Sequence, residues 1–385
     1  MASHTFYEFF AGAGMARAGL SGKWRCVFAN EFDLKKSVIY RKNWATLDVL
    51  KVADVGTLTP SDLPGIADLV WASFPCQDLS LAGAGAGLRG DRSGTFWPFW
   101  RLMQGVIETG RAPKLIVLEN VCGTLTSHEG KDFAAICSTF VKAGYYFGAL
   151  IVDAVKFVPQ SRPRLFVIGI RDDLALAAPN ITARTCTEHW HPRGLLNAYN
   201  KLSTKIKDKW LWWNPELPPQ RTTTFAHLIE DNPVGVEWHT TAETAKLLNM
   251  MSEINREKVN EARATGQRVV GAVYKRTRRD EVGRKVQRAE IRFDDIAGCL
   301  RTPAGGSSRQ VIVIVRGKTV RSRLISPRET ARLMGLPDNY ELPNNYNEAY
   351  HLTGDGVAVP VVRHLARHIF EPLLSARIAA SKVAA

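Results

Sequence analysis

The chain has 385 residues, 45% of them hydrophobic, with a net charge of +14 and an isoelectric point near 9.6. At roughly 150 residues per domain that length predicts two or three domains. No apolar run approaches the roughly 18 residues of a membrane span, and the start lacks a signal peptide's basic and apolar regions. Cations in this excess point to a polyanionic partner, although a basic enzyme can also carry a merely solvated positive face. The six cysteines are scattered without zinc-type or paired spacing, which fits a reducing cytoplasm and no metal site.

In chain order, Thr5–Phe10 is a short aromatic strand that runs into Ala11-Gly12-Ala13-Gly14 and then a helical pattern through Ala16, Ala18 and Leu20. Strand, glycine turn and helix form the entrance of a Rossmann-like unit, in which glycines let backbone approach a ligand. A nicotinamide fingerprint would want a third glycine where Arg17 stands, which weighs against a dehydrogenase. The next strand, from Trp24, ends at Asn30-Glu31-Phe32-Asp33, where Glu31 suits a ribose or simply a helix start. Asp54 closes a third, weak segment and either approaches an adenine-like ring or caps.

Asp68-Leu69-Val70-Trp71-Ala72 is a buried strand that stops at Phe74-Pro75-Cys76, before the small-residue loop Ala82–Gly87. Cys76 is either a small buried hydrophobe or a thiol placed where an open α/β sheet does chemistry. Helical spacing covers Phe96–Ile107, and the apolar strand from Lys114 delivers Glu119 at its carboxyl end. A carboxylate there is costly unless it is paired or functional. A helix is expected over Gly123–Ala143, then strands over Tyr146–Asp153 and Arg164–Ile170. Arg162 and Arg164 bracket the last strand's start, as surface charge or as a grip on an anion.

The ordered set FAGAG (10–14), NEFD (30–33), PCQ (75–77), ENV (119–121) and QSRPR (160–164) resembles the motif series of the cytosine-C5 DNA methyltransferases. The resemblance continues in RLISPRETARLMGLPDNY (323–340) and GDGVAVPVV (354–362), leaving out about 175–295. It implies an α/β fold: a Rossmann-like S-adenosylmethionine-dependent methyltransferase domain with a smaller inserted target-recognition domain. The implied division is residues 1–175 plus 340–375 for catalysis and cofactor, 176–339 for target recognition and hinge, and a frayed tail at 376–385.

By the same resemblance Cys76 adds to cytosine C6, Glu119 assists at N3, and Arg162 and Arg164 supply positive charge near the reaction centre and the base carbonyl. Phe10, Gly12, Gly14, Glu31, Phe32, Asp54, Phe74, Pro75 and Phe96 are implied for the cofactor. Asp355 joins them, although the family commonly has asparagine there. A helix from Pro360 to Phe370 is expected to pack back on the cofactor domain.

The inserted region mixes basic and aromatic residues, with a helix expected over Ala242–Ala262. Lys275, Arg276, Arg278, Arg279, Arg284, Lys285 and Arg288 then form a basic run that is either a solvated face or phosphate-contacting patch, or holds a subset that reaches base edges. Gly305 and Gly306 lie in a small-residue turn suited to a phosphate backbone. Extruding a base from duplex DNA would suit a mobile lid over Ser80–Arg92, with Ser80 and Arg92 near the DNA. The partners expected are double-stranded DNA and any cognate restriction endonuclease as a separate chain; a monomer in the bacterial cytoplasm, at the nucleoid, is expected. A transfer-RNA enzyme of the same fold is disfavoured because its CFT stretch is missing at Val121-Cys122-Gly123-Thr124. A silent DNA-binding relative would have no use for Cys76, Glu119, Arg162 and Arg164 together.

Overall fold

The computed structural model describes residues 4–44, 49–75, 88, 93–175, 181–280, 282–301 and 309–375. Cys76, Ser80, Arg92, Gly305 and Gly306, most of the expected lid and the 376–385 tail lie outside them. The chain forms two compact units. One comprises Met1–Asp153, Pro163–Pro219 and Val357–Ala385, and the other Ala154–Arg162 and Gln220–Gly356. These borders cut differently from the expected ones: 176–219 pack with the first unit, and 154–162 and 340–356 with the second.

The first unit is built on a seven-stranded sheet of order β3-β2-β1-β4-β5-β7-β6. Its strands are β1 (His4–Phe9), β2 (Trp24–Glu31), β3 (Leu50–Val52), β4 (Leu69–Ala72), β5 (Leu115–Val121), β6 (Tyr145–Asp153) and β7 (Pro163–Arg171). Pairing is parallel from β3 to β5, and β7 runs against both of its neighbours. β4 and most of β5 are buried on both faces, which explains their continuous apolar runs. On one face Phe9, Val70, Ile116 and Leu118 pack with Phe99 and Met103 of helix Phe96–Glu108 and Phe140 of helix Lys131–Lys142. On the other, helix Met15–Leu20 meets helix Val359–Leu365: Gly19 leaves no room for a methyl beside Val362, and Arg363 donates to the Ala18 carbonyl at 3.2 Å.

Two expected helices start or run differently. The stretch from Gly123 makes short turns, with His128 and Glu129 at positive φ, and the helix begins only at Lys131. The single helix expected over 242–262 is two, Thr241–Asn249 and Glu253–Ala264. Met251 between them forms a bridge with Ala289, and Met250 accepts the Ala289 amide at 3.1 Å, so tertiary pairing overrides the helical pattern.

The second unit folds around an antiparallel sheet of order β11-β10-β12-β13, after the short β8 (Thr182–Ala183) and β9 (Trp212–Trp213) of the first. Its strands are β10 (Arg268–Arg279), β11 (Lys285–Arg292), β12 (Val311–Arg316) and β13 (Thr319–Leu324). Leu247, Met251 and Val259 cover one face of it through Val273, Ile291 and Val313. Ser326 and Glu329 form a reciprocal cap on helix Pro327–Leu333, and Glu329 also pairs with the fully buried Arg323 at 2.6 Å. Among the described residues no helix is long and apolar enough to cross a membrane.

Candidate active site

Strand order reverses at β1, which lies between β2 and β4, so the crevice beyond their carboxyl ends is where an open sheet places a ligand. Residues 10–14 form the turn leaving β1. Phe10 has φ 55, an uncommon conformation for a side-chain-bearing residue, and Gly12 has φ 56. A Cβ added to Gly12 would meet nothing within 4 Å, so backbone faces open space there. Gly14, at φ 84, is closely packed: an added Cβ would lie 2.3 Å from Trp44 Nε1, which donates to the Ala13 carbonyl at 3.1 Å.

Glu31, at the end of β2, is buried and ties two loops together. Its Oε2 accepts the Gly12 amide at 2.6 Å; its Oε1 accepts the Phe32 and Asp33 amides at 2.9 and 2.8 Å. A carboxylate has about four acceptor positions, so one is left to a hydroxyl. Beside it Phe32 is 72% exposed, an apolar side chain open to a ligand. Asp54, beyond β3, caps a short turn through the Gly56 amide at 2.7 Å, so the capping alternative describes its contact here. Phe74 is buried against the Phe96 ring, 5.2 Å between centroids. Open space over Gly12, a spare acceptor on Glu31 and an unoccupied aromatic face fit an adenosine-type cofactor. Asp355 is exposed and ends helix Tyr346–Asp355 of the second unit.

Beyond β5, Glu119 Oε1 pairs with Arg164 Nε at 3.3 Å, both side chains largely buried. The antiparallel register sets this up, since Arg164 at the start of β7 stands opposite Val121. Arg162 behaves differently. Only 2% exposed, it gives Nη1 to Cys299 Sγ (3.3 Å) and the Leu300 carbonyl (3.0 Å), and Nη2 to the Gly354 (2.8 Å) and Gly356 (2.6 Å) carbonyls. The residue expected beside the reaction centre thus spends these donors inside the second unit, tying its own strip to two other chain segments.

Two residues not singled out from the sequence belong to this architecture. Asn120 Nδ2 donates to the Phe74 carbonyl at 3.1 Å, while its Oδ1 accepts the Val121 amide at 2.8 Å. It therefore fixes the backbone two residues before Cys76. Glu8, in the middle of β1 and 1% exposed, accepts the Arg17 amide at 3.1 Å and the Tyr40 hydroxyl at 3.4 Å. It caps the helix that leaves the glycine turn, whose own N-cap is Gly14 with no side-chain bond. Burial raises the Glu8 carboxyl to about 7, against the pull of the Arg17 amide and guanidinium and the Tyr40 hydroxyl. The Arg17 side chain donates to Tyr40 and lies 4.7 Å from the Trp44 ring, which accounts for an arginine at the position of a third glycine. Both were findable: each is a polar residue inside an apolar strand, the signal that drew attention to Glu119.

The switch-point crevice, with a ribose-type acid on one side and a buried carboxylate–arginine pair on the other, defines a nucleoside-cofactor α/β enzyme. Comparison with known proteins narrows the class. The chain belongs to the C-5 cytosine-specific DNA methylase family, whose model matches residues 4–371. Among curated relatives it is 26% identical to Type II methyltransferase M.HpaII of Haemophilus parainfluenzae, over 96% of this chain and 90% of that one. It is 25% identical to M.HhaI of Haemophilus parahaemolyticus, over 94% and 93%. Among solved structures, Dnmt2 methyltransferase of S. pombe matches with a TM-score of 0.58 at 17% identity, covering 96% and 99%. An E. coli prophage putative DNA modification methyltransferase matches at 0.56 and 17%, covering 97% and 99%. The enzymatic class is C-5 cytosine DNA methyltransferase, and methyltransferases of this kind use S-adenosylmethionine.

Proposed function

We propose that this enzyme methylates C5 of a cytosine extruded from duplex DNA, at one fixed short sequence. The observation that carries the reading is the buried Glu119–Arg164 pair at the carboxyl end of β5, the strand next to the one that leads to Cys76. C5 of cytosine is a poor nucleophile until something adds at C6. The Cys76 thiolate forms that bond, and the electron pair of the C5–C6 double bond is released onto C5 as Glu119 protonates or hydrogen-bonds N3. When bound, S-adenosylmethionine supplies an electrophilic sulfonium methyl. C5 would take that methyl with its electron pair as the S–CH3 bond breaks and a neutral thioether leaves; loss of the C5 proton to a base then restores the double bond and expels the Cys76 thiolate. Arg164 orients Glu119 and presents positive charge towards the base carbonyl, while Arg162 acts by holding the second unit together.

Phe10, Gly12, Gly14, Glu31, Phe32, Asp54, Phe74, Pro75 and Phe96 form the cofactor side, with Asp355 a further candidate. The second unit recognises the target; of the 176–339 expected as inserted region and hinge, 220–339 fall in it. Any restriction endonuclease is a separate chain, and the enzyme acts as a monomer at the bacterial nucleoid. The test is methylome sequencing by bisulfite conversion of host DNA expressing the protein, with Cys76→Ser as control. New 5-methylcytosine at a fixed short motif, absent from the control, is expected; no such mark would overturn the reading.

A further inference from the structure

β12 pairs with β10 only over Arg268–Val273, whereas β11 follows β10 as far as Arg279. From Tyr274 onwards the two strands therefore continue alone, as a ribbon overhanging the sheet. Beyond Lys275 and Ala289 its described residues are exposed on both faces, apart from the half-buried Val286 and, in the turn, Asp280. The turn is firmly built: Asp280 Oδ1 accepts the Val282 and Arg284 amides at 3.1 and 2.8 Å, and Asp280 N donates to the Arg284 carbonyl at 2.9 Å.

The register places like charges opposite each other twice, Arg276 against Arg288 on one face and Arg279 against Lys285 on the other. Such pairs destabilise a sheet. Local rules broken in this way mark functional surfaces. The two faces differ. On the first, Glu290 receives both Arg276, at 3.3 Å, and Arg278, and the Arg276 guanidinium lies 5.7 Å from the Tyr274 ring. Arg288 stands there without a hydrogen bond or ion pair among the described residues. A carboxylate set among these arginines would be repelled by phosphates, but it holds guanidinium forks in fixed orientation for base edges. Among the described residues the second face carries no such acid beside Arg279 and Lys285.

We propose that this ribbon is the sequence-reading element, entering the major groove with Arg276 and Arg288 towards guanine edges and with Arg279 and Lys285 on phosphates. A B-DNA major groove is about 12 Å wide and admits a two-stranded ribbon. The proposal rests on the DNA-methylation reading above, and its test separates the two.

Methylome sequencing and salt-dependent binding to duplexes are compared for wild type, Arg276→Ala, Arg288→Ala, Arg288→Lys and the double variant Arg279→Ala/Lys285→Ala. The alanine variants at 276 and 288 should each relax one motif position by about ten- to a hundredfold. Arg288→Lys, which keeps the charge but not the fork, should relax the same position while leaving the salt dependence unchanged. The double variant should weaken binding to all sequences alike and flatten the slope of log K against log salt by about two. An intact motif in both alanine variants, or a uniform loss on every sequence, overturns the proposal. Unmarked DNA with wild-type enzyme would instead overturn the functional reading itself. A folded state in each variant is verified by circular dichroism and thermal unfolding.

Discussion

The crevice of the first unit and the ribbon of the second use charge in opposite ways. In the crevice, Glu31, Glu119 and Glu8 are buried, and each is held by backbone amides or a neighbouring side chain. In the ribbon, arginines stand exposed and a single carboxylate serves two of them. Burial makes a charge costly unless every partner is in place, so chemistry demands particular residues at particular spacings. An exposed charge is screened and replaceable, so a recognition surface can change its residues while the fold stays the same.

Breaking the buried side should have the largest effects. Cys76→Ala should abolish methyl transfer, and Glu119→Gln should lower kcat by about 10² to 10⁴. Cofactor affinity, measured by calorimetry, should be unchanged in both. Gly14→Ala combines a positive φ with an overlap on Trp44, and should weaken cofactor binding and cost roughly 1–3 kcal/mol of stability in thermal unfolding. Asn120→Ala removes the tether to Phe74 and should reduce kcat by about tenfold or more while the Km for cofactor holds, a split that steady-state kinetics resolves.

Glu8 gives a pH signature. Its folded-state value of about 7 lies above the ordinary 4.5, so the folded protein binds the proton more tightly than the unfolded chain. Stability from this group is complete below about 4.5 and is lost as pH rises to 7. Glu8→Gln should remove that loss, gaining about 3 kcal/mol on wild type across the interval, as read by denaturant unfolding at pH 4.5 and 7.5. At the small end, Arg284→Ala on the exposed turn should shift stability by under about 0.5 kcal/mol.

The same contrast explains what could be read from sequence. β4 and β5 were legible because buried parallel strands are continuous apolar runs, and Glu31 and Glu119 because each closes such a run. The helix expected from Gly123 was misplaced because positive φ at His128 and Glu129 leaves no composition signal. The break at Met250–Ser252 comes from pairing with Ala289, 38 residues on and invisible to local periodicity. Arg162 was recognised as a motif residue, yet its partners at 299–300 and 354–356 are set by the tertiary fold alone. The ribbon's basic run was visible as composition. Which arginines share a face emerged only with the register.

The strip Ala154–Arg162 has a bearing on how new specificities could be made. It belongs to the second unit although some 57 residues of the first follow it in sequence. Besides the Arg162 clamp, Gln160 donates to the Leu333 carbonyl at 2.8 Å and accepts the Leu300 amide at 3.1 Å, and Ser161 N donates to the Ala297 carbonyl at 2.9 Å. A module cut at 220 and 356 and grafted into a relative would leave that strip behind, with the module's buried carbonyls facing a stranger's residues. Grafts should succeed when the nine-residue strip travels with the module, or when the exchange is confined to the overhanging ribbon, which shares none of these bonds.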